Sequence, residues 1–292
     1  TNCKNTLAFL CQKKKDALMI CFPNAKINLG LNVMLFSDNV SIQEEVEIKK
    51  IGRAADLLVM GPDCGTAIIN GLPLGFANAV AKGPVGIVAA SGTGLQQISS
   101  LLTQWGVGIS QALGTGGRDL SANVDGISMT QATQILGEDE QTEVIILLSK
   151  PTSKKVAEKI FTVAREAEKP VIVCFFSVEK SSPDGLIKFA TTLDEAAELA
   201  YSIINNGDLP ERITFETEVT SRSFNQKDTQ KYLRGVYSGG TFCYETQSIL
   251  KEMLEPVWSS TALDPAQSLK DPWLSREHTV IDLGDDVFTQ GR

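Results

Sequence analysis

The chain has 292 residues, 42% of them hydrophobic, which is enough for two domains and part of a third with ordinary buried cores. Its 27 basic and 35 acidic residues give a formal charge of -8, and no basic stripe interleaved with aromatics offsets it, so the composition argues against a nucleic-acid partner. The apolar runs are strand-sized rather than membrane-spanning, and the first twenty residues have too short an apolar core, in the wrong order, for a signal peptide; the expectation is a cytoplasmic protein with no membrane partner.

Short β-rich runs alternate with helical patterns along the chain: ALMICF, NVMLFS, LLVMG, GIVAA, SQALG, EVIILLS and PVIVCFF, then LRGVYS and TVIDLG after a polar interval. Near-continuous Val/Ile/Leu strands between amphipathic helices predict parallel sheets covered on both faces, a doubly wound α/β architecture. One spacing fails. Only the eight residues NAKINLGL separate Pro23 from Asn32, whereas a parallel crossover with its helix needs about ten to twelve; the expectation is a missing loop and half-helix near Pro23. Lys82-Gly83-Pro84 marks one boundary and the polar stretch from Asn205 to Gln230 another, giving an incomplete first domain (1–82), a second (83–206), and a linker with the start of a truncated third (207–292).

Six cysteines (Cys3, Cys11, Cys21, Cys64, Cys174, Cys243) form no Cys-x-x-Cys pair and have only one histidine, His278, to accompany them. That predicts neither a metal site nor a disulfide framework, and reduced thiols packed as small hydrophobes. His278, among charges before a late strand, reads as a surface residue.

Three glycine turns carry the chemistry. Ser91-Gly92-Thr93-Gly94 follows a strand and opens a helix, so its amides and the positive end of the helix dipole can face a phosphate or carboxylate; the alternative is that Ser91 or Thr93 simply caps the helix. It is not a P-loop, for no Gly-Lys-Ser/Thr follows. LGTGGRDLS sets Gly116 and Gly117 beside Arg118 and Asp119 at the next strand end, where Arg118 either clamps an anion bidentately or pairs with an acid to brace the loop. Ser238-Gly239-Gly240-Thr241 repeats the first device. In MGPDCG, Asp63 and Cys64 sit at a strand end as candidate crevice residues, with a turn aspartate and a structural thiol as the alternatives.

These stretches together resemble the FdrA proteins, which are acyl-CoA synthetase-like, over nearly the whole chain; at the level of fold and turns they resemble the α subunit of succinyl-CoA synthetase. The resemblance rests on GLNVMLFSDNV, LLVMGPDCGT, GIVAASGTG, LGTGGRDLS, EVIILLSKP, KPVIVCFF, GVYSGGT and IDLGDD. It implies a Rossmann-like CoA-binding-type domain followed by flavodoxin-like domains, with CoA as a cofactor of the family. It also implies an active-site histidine, phosphorylated between two helix N-termini, of which SGTG and YSGGT look like the starts. Here the chain departs from the family. After KPVIVCFF it reads SVEKSSPDGLIKFATT with no histidine, Gln97 stands where a glutamate is usual, and no early glycine-rich CoA loop is visible.

A scaffold that keeps its anion-binding helix ends without the phosphohistidine is expected to hold a phosphate arriving on a substrate. Similarity to FdrA implies transfer of a carbamoyl group between phosphate and oxamate by a multi-subunit oxamate carbamoyltransferase in allantoin breakdown, with carbamoyl phosphate, oxamate, phosphate or acyl-CoA as the bound anion and other subunits or copies as partners. A CoA-binding acyl-CoA ligase and a non-catalytic metabolite-binding scaffold subunit are the other readings open at this stage.

Overall fold

The computed structural model describes residues 7–10, 27–176, 185–211 and 230–289. The chain divides into two compact units, Thr1–Asp208 and Leu209–Arg292.

The first unit holds two sheets. In the smaller, β1 (Leu7–Leu10), β2 (Asn32–Leu35) and β3 (Val59–Met60) run parallel in that order. On one side β2 pairs with Leu7–Leu10, with residues 11–31 between them; ALMICF, at the near end of the short NAKINLGL spacing, lies outside the described residues. The expected break near Pro23 itself falls in 11–26, outside the described residues. Helix α1 (Ile42–Ala54) joins β2 to β3. It begins in a capping box, Ser41 Oγ accepting from the Glu44 amide and Glu44 returning a carboxylate oxygen to the Ser41 amide, which satisfies two first-turn donors. Ile48 of α1 packs on Val33, Leu35 and Val59.

The larger sheet has seven strands in the order β10-β9-β8-β6-β7-β4-β5. Its parallel part comprises β6 (Lys82–Ala89), β7 (Ile109–Gly114), β8 (Val144–Ser149), β9 (Val171–Phe175) and β10 (Ile187–Phe189). Their order is that of a flavodoxin-like doubly wound sheet, with the chain leaving β6 toward β7 and returning on the other side as β8. Helices α2 (Gly92–Gln104), α3 (Ile127–Glu138) and α4 (Lys154–Glu166) connect β6 to β7, β7 to β8 and β8 to β9, and α5 (Leu193–Ile204) follows β10; α3 packs with α4 and α2 with α5. Every residue of β8 is buried, which is why VIILLS reads as an unbroken apolar run. On α2, Leu95, Ile98 and Leu102 form the buried stripe, each worth about 2 kcal/mol of apolar burial.

A feature the periodicity passed over completes the sheet edge. β4 (Thr66–Ile69) and β5 (Leu72–Gly75) form an antiparallel hairpin, and β4 also pairs antiparallel with β7. Asn70 and Gly71 both take positive φ (52° and 79°), the geometry of a two-residue hairpin turn with the Asn-Gly pair it favours.

The second unit contains β11 (Arg234–Tyr237), β13 (His278–Asp282) and β12 (Val257–Ser259), parallel in that spatial order, with α6 (Gly240–Leu250) packed on them through Cys243 and Leu250 against Val257 and Val280. Most of the polar interval, residues 212–229, lies outside the described residues.

Candidate functional site

The carboxyl ends of β3, β6 and β7 carry three of the turns named above, and close backbone packing binds them together. Gly116 has φ +87°, and a Cβ there would lie 2.1 Å from the Pro62 carbonyl oxygen, so only glycine fits where the LGTGG and MGPDC turns cross. A Cβ on Gly92 would stand 3.0 Å from Thr66 Oγ1, which seats the SGTG turn against the first residue of β4.

Ser91, almost fully buried, is the N-cap of α2: its hydroxyl accepts from the Gly94 amide at 3.0 Å. The amides of Gly92 and Thr93, ahead of Gly94, have no acceptor among the described residues, so the capping and anion-binding readings are compatible here. Ala89 of β6 pairs with Leu148 of β8, so Ser91 and Lys150 each come two residues after a paired position, at the end of the sheet where the strand order reverses and ligands bind in such sheets. Lys150 forms no hydrogen bond or ion pair among the described residues. From a Cβ position on Gly117, Asp63 Oδ2 is 3.2 Å away and Lys150 Nζ 3.7 Å, so carboxylate and ammonium face each other across that glycine. Desolvation is the main force pushing the Asp63 carboxyl above its ordinary value, aided by Asp38 and Glu45 and opposed by Lys150 and Arg118. The sequence signal for Lys150 is a lone cation directly after a fully buried strand.

Arg118 is engaged elsewhere. Its Nη2 donates to the Val40 carbonyl at 2.7 Å and lies 3.0 Å from Glu45 Oε2, so the bracing alternative is the one the geometry shows. Asp119 does not line the crevice: it is fully buried and accepts from the Ser128 and Met129 amides, capping α3. Lys49 of α1, also fully buried, donates to Asp119 Oδ1 and Glu45 Oε1 at 2.7 Å and to the Thr115 carbonyl at 3.0 Å, which saturates its ammonium. Cys64 is 2% exposed, and burial pushes its thiol up to about 12, which rules out a thiolate nucleophile near neutral pH.

In the second unit, α6 starts at Gly239 with no side-chain cap, and Ser238 is exposed. His278 accepts from the Leu233 amide through Nδ1, at 3.1 Å, and packs edge-on against Tyr232, a structural role at the start of β13. Among the described residues no group of three or more His, Cys, Asp or Glu side chains could hold a metal ion, and no helix is long and apolar enough to cross a membrane.

Comparison with known proteins agrees with this architecture. Residues 82–183 match the succinyl-CoA ligase like flavodoxin domain, and residues 236–292 match the CoA-ligase domain. The chain is 45% identical to the uncharacterized protein YahF of Escherichia coli (strain K12) over 270 residues, covering 90% of this chain and 52% of the relative. It is 28% identical to the mitochondrial succinate–CoA ligase [ADP-forming] subunit alpha-2 of Trichomonas vaginalis, over 58% of this chain and 55% of that one. It spans about half the length of these relatives. Among solved structures, the dinucleotide forming acetyl-coenzyme A synthetase 1 of Ca. Korarchaeum cryptofilum, in complex with phosphate and ADP, superposes with a TM-score of 0.53 at 13% identity, over 86% of this chain and 55% of its own, a likeness of fold. With the succinyl-CoA-ligase-type flavodoxin domain in one unit and the CoA-ligase domain in the other, the chain belongs to the CoA-ligase superfamily and, by its likeness to YahF, to the FdrA type within it.

Proposed function

We propose that the protein is a subunit of a group-transfer enzyme acting on an acyl or carbamoyl phosphate, most specifically an oxamate carbamoyltransferase of allantoin breakdown. The observation that carries this reading is the crevice at the strand-order reversal of the larger sheet. There the amides of Gly92 and Thr93 are unengaged among the described residues, Lys150 directly follows β8, the strand paired with β6, and reaches Gly117, and the chain's single histidine, His278, lies in the other unit. Such a site binds a phosphate delivered by a substrate, and the unit that carries it has no histidine of its own to phosphorylate. Gly94, Gly116 and Gly117 shape the crevice, while Ser238, Gly239, Gly240 and Thr241 offer a further helix start in the second unit.

In the reaction, the oxamate nitrogen attacks the carbamoyl carbon. A C–N bond forms, the C–O bond to phosphate breaks, and the proton lost from nitrogen ends on the departing phosphate. Helix-start amides and the Lys150 ammonium offset the charge that develops on the leaving oxygen, so catalysis is by positioning and electrostatics. Asp63, facing Lys150 across Gly117, is placed to relay the proton.

Coenzyme A enters no step. The start of α1 is filled by the chain itself, through the Ser41 and Glu44 capping box, with Asp38 close by in sequence; the described residues there do not fit a diphosphate. The stretch 11–26, ahead of β2, lies outside the described residues. The succinate–CoA ligase relatives are named as subunits, and we place this chain likewise in an assembly with other subunits or copies.

The test is calorimetric titration of the full-length protein, alone and with co-purifying subunits, against carbamoyl phosphate, oxamate and CoA, with phosphate release followed in parallel. Carbamoyl phosphate binding with oxamate-dependent phosphate release is the expected result. Tight CoA binding without response to carbamoyl phosphate would overturn the reading, and binding with no turnover by the full assembly would replace it with a scaffold role.

A further inference from the structure

Away from the crevice, the outer stripe of α1 presents Val46, Lys50 and Arg53 at i, i+4 and i+7. These side chains line a cavity of about 260 Å³ whose other walls include Asn123, Asp125 and Lys159. The chain as a whole carries a charge of -8, yet here three cations meet one carboxylate. That carboxylate is already committed: Lys159 Nζ lies 2.8 Å from Asp125 Oδ2 and donates to the Asp125 carbonyl at 2.7 Å. Its hydrogen bond to Lys159 lowers the Asp125 carboxyl from its ordinary value; desolvation opposes this, and the charges of Lys159, Lys155 and Arg53 add to the lowering. The side chains of Lys50 and Arg53 make no hydrogen bond or close ion pair among the described residues, and the single carboxylate whose charge Arg53 feels, Asp125, is already held by Lys159.

We propose that this cavity is a second anion site, built for inorganic phosphate or a small phosphomonoester and separate from the crevice at Lys150. Arg53 supplies a planar fork that matches two phosphate oxygens, Lys50 a point charge on a third, and Asn123 an amide that orients the group. At about 260 Å³ the space is below the usual range of roughly 300 to 1,000 Å³ for drug-sized ligands, so it suits a phosphate on a small body rather than a nucleotide. Its walls, α1 and the turn before α3, are the two segments that Lys49 and Asp119 tie together beneath, so the site is framed by a fixed seam.

The test uses inorganic phosphate at constant ionic strength, with the amide resonances of Asn123 and Gly126 as the local readout and calorimetry as the global one. The proteins compared are the full-length wild type, Lys50→Gln/Arg53→Gln, and Lys150→Gln. The wild type and Lys150→Gln are expected to show saturable phosphate-dependent shifts at Asn123 and Gly126, and Lys50→Gln/Arg53→Gln to need at least about tenfold more phosphate. Both substituted side chains are exposed, so the fold survives their loss. The proposal fails if those amides do not respond in the wild type, respond equally to chloride, or respond unchanged in Lys50→Gln/Arg53→Gln. The crevice reading is judged separately, by the calorimetric signal that Lys150→Gln alone removes.

Discussion

The chain uses nearly the same four residues twice, Ser91-Gly92-Thr93-Gly94 and Ser238-Gly239-Gly240-Thr241, and each opens a helix after a parallel strand, yet the two starts differ. In the first unit Ser91 is buried and its hydroxyl closes the first turn of α2. Gly92 is pressed against Thr66, and Lys150 follows the strand paired with β6 and reaches Gly117 of the neighbouring turn. In the second unit Ser238 is exposed, α6 has no side-chain cap, and the sheet behind it has three strands. The motif specifies a helix start; what surrounds it decides whether that start is a built site or an open end.

The strongest test of the built site is to remove what holds its floor. Lys49→Met leaves buried Asp119 with no cation and only the Ser128 and Met129 amides, and buried Glu45 with only Arg118, under the LGTGGRD turn, and should cost about 3–5 kcal/mol in equilibrium urea unfolding. Adding Glu45→Gln should recover part of the loss, because the two sites share one network. Next in size is Lys150→Gln. If the ammonium offsets charge on the departing phosphate, oxamate-dependent phosphate release should fall by about a hundredfold, the scale for losing one electrostatic stabiliser, while thermal stability stays within about 0.5 kcal/mol. Unchanged turnover would reduce the contrast between the two helix starts to one of packing alone.

These particular residues also show what was legible in advance. The parallel strands, the glycine turns and the absence of a histidine after PVIVCFF are local in sequence, and they could be read from apolar runs and punctuation. Three things were not local. One partner of β2 lies far upstream, at Leu7–Leu10, because a strand's neighbour is chosen by tertiary pairing and not by the nearest apolar run. The hairpin at Asn70-Gly71 was signalled by its Asn-Gly pair, but two four-residue strands on either side are too short to stand out by period. Arg118 had two readings in sequence, and only the position of α1 decides between them, since the acid that holds it, Glu45, is 73 residues earlier. Lys150 is the converse case: at the end of β8, it becomes conspicuous only once β8 is known to lie next to β6.

A smaller effect separates the two serines directly. Ser91→Ala removes a side-chain cap and should cost about 1 kcal/mol in urea unfolding, whereas Ser238→Ala, with no cap to lose, should stay within about 0.5 kcal/mol. Equal costs at the two positions would mean that the second start is as built as the first.

The smallest expected change concerns Asp63, and its sign is informative. Because desolvation raises its carboxyl in the folded protein, the folded state holds that proton more tightly than the unfolded chain does. The associated stabilisation is complete below the unfolded carboxylate value of about 4 and is lost as pH rises through the folded value. At neutral pH the ionised Asp63 is therefore a cost to the fold, and Asp63→Asn should be slightly more resistant to urea than the wild type at pH 7, with the advantage vanishing near pH 3. Stability and transfer should then move in opposite directions, since the same substitution removes the group facing Lys150 across Gly117. A variant that gains stability at pH 7 and keeps full phosphate release would leave Lys150 and the α2 amides as the working groups of the crevice, with Asp63 a bystander at its rim.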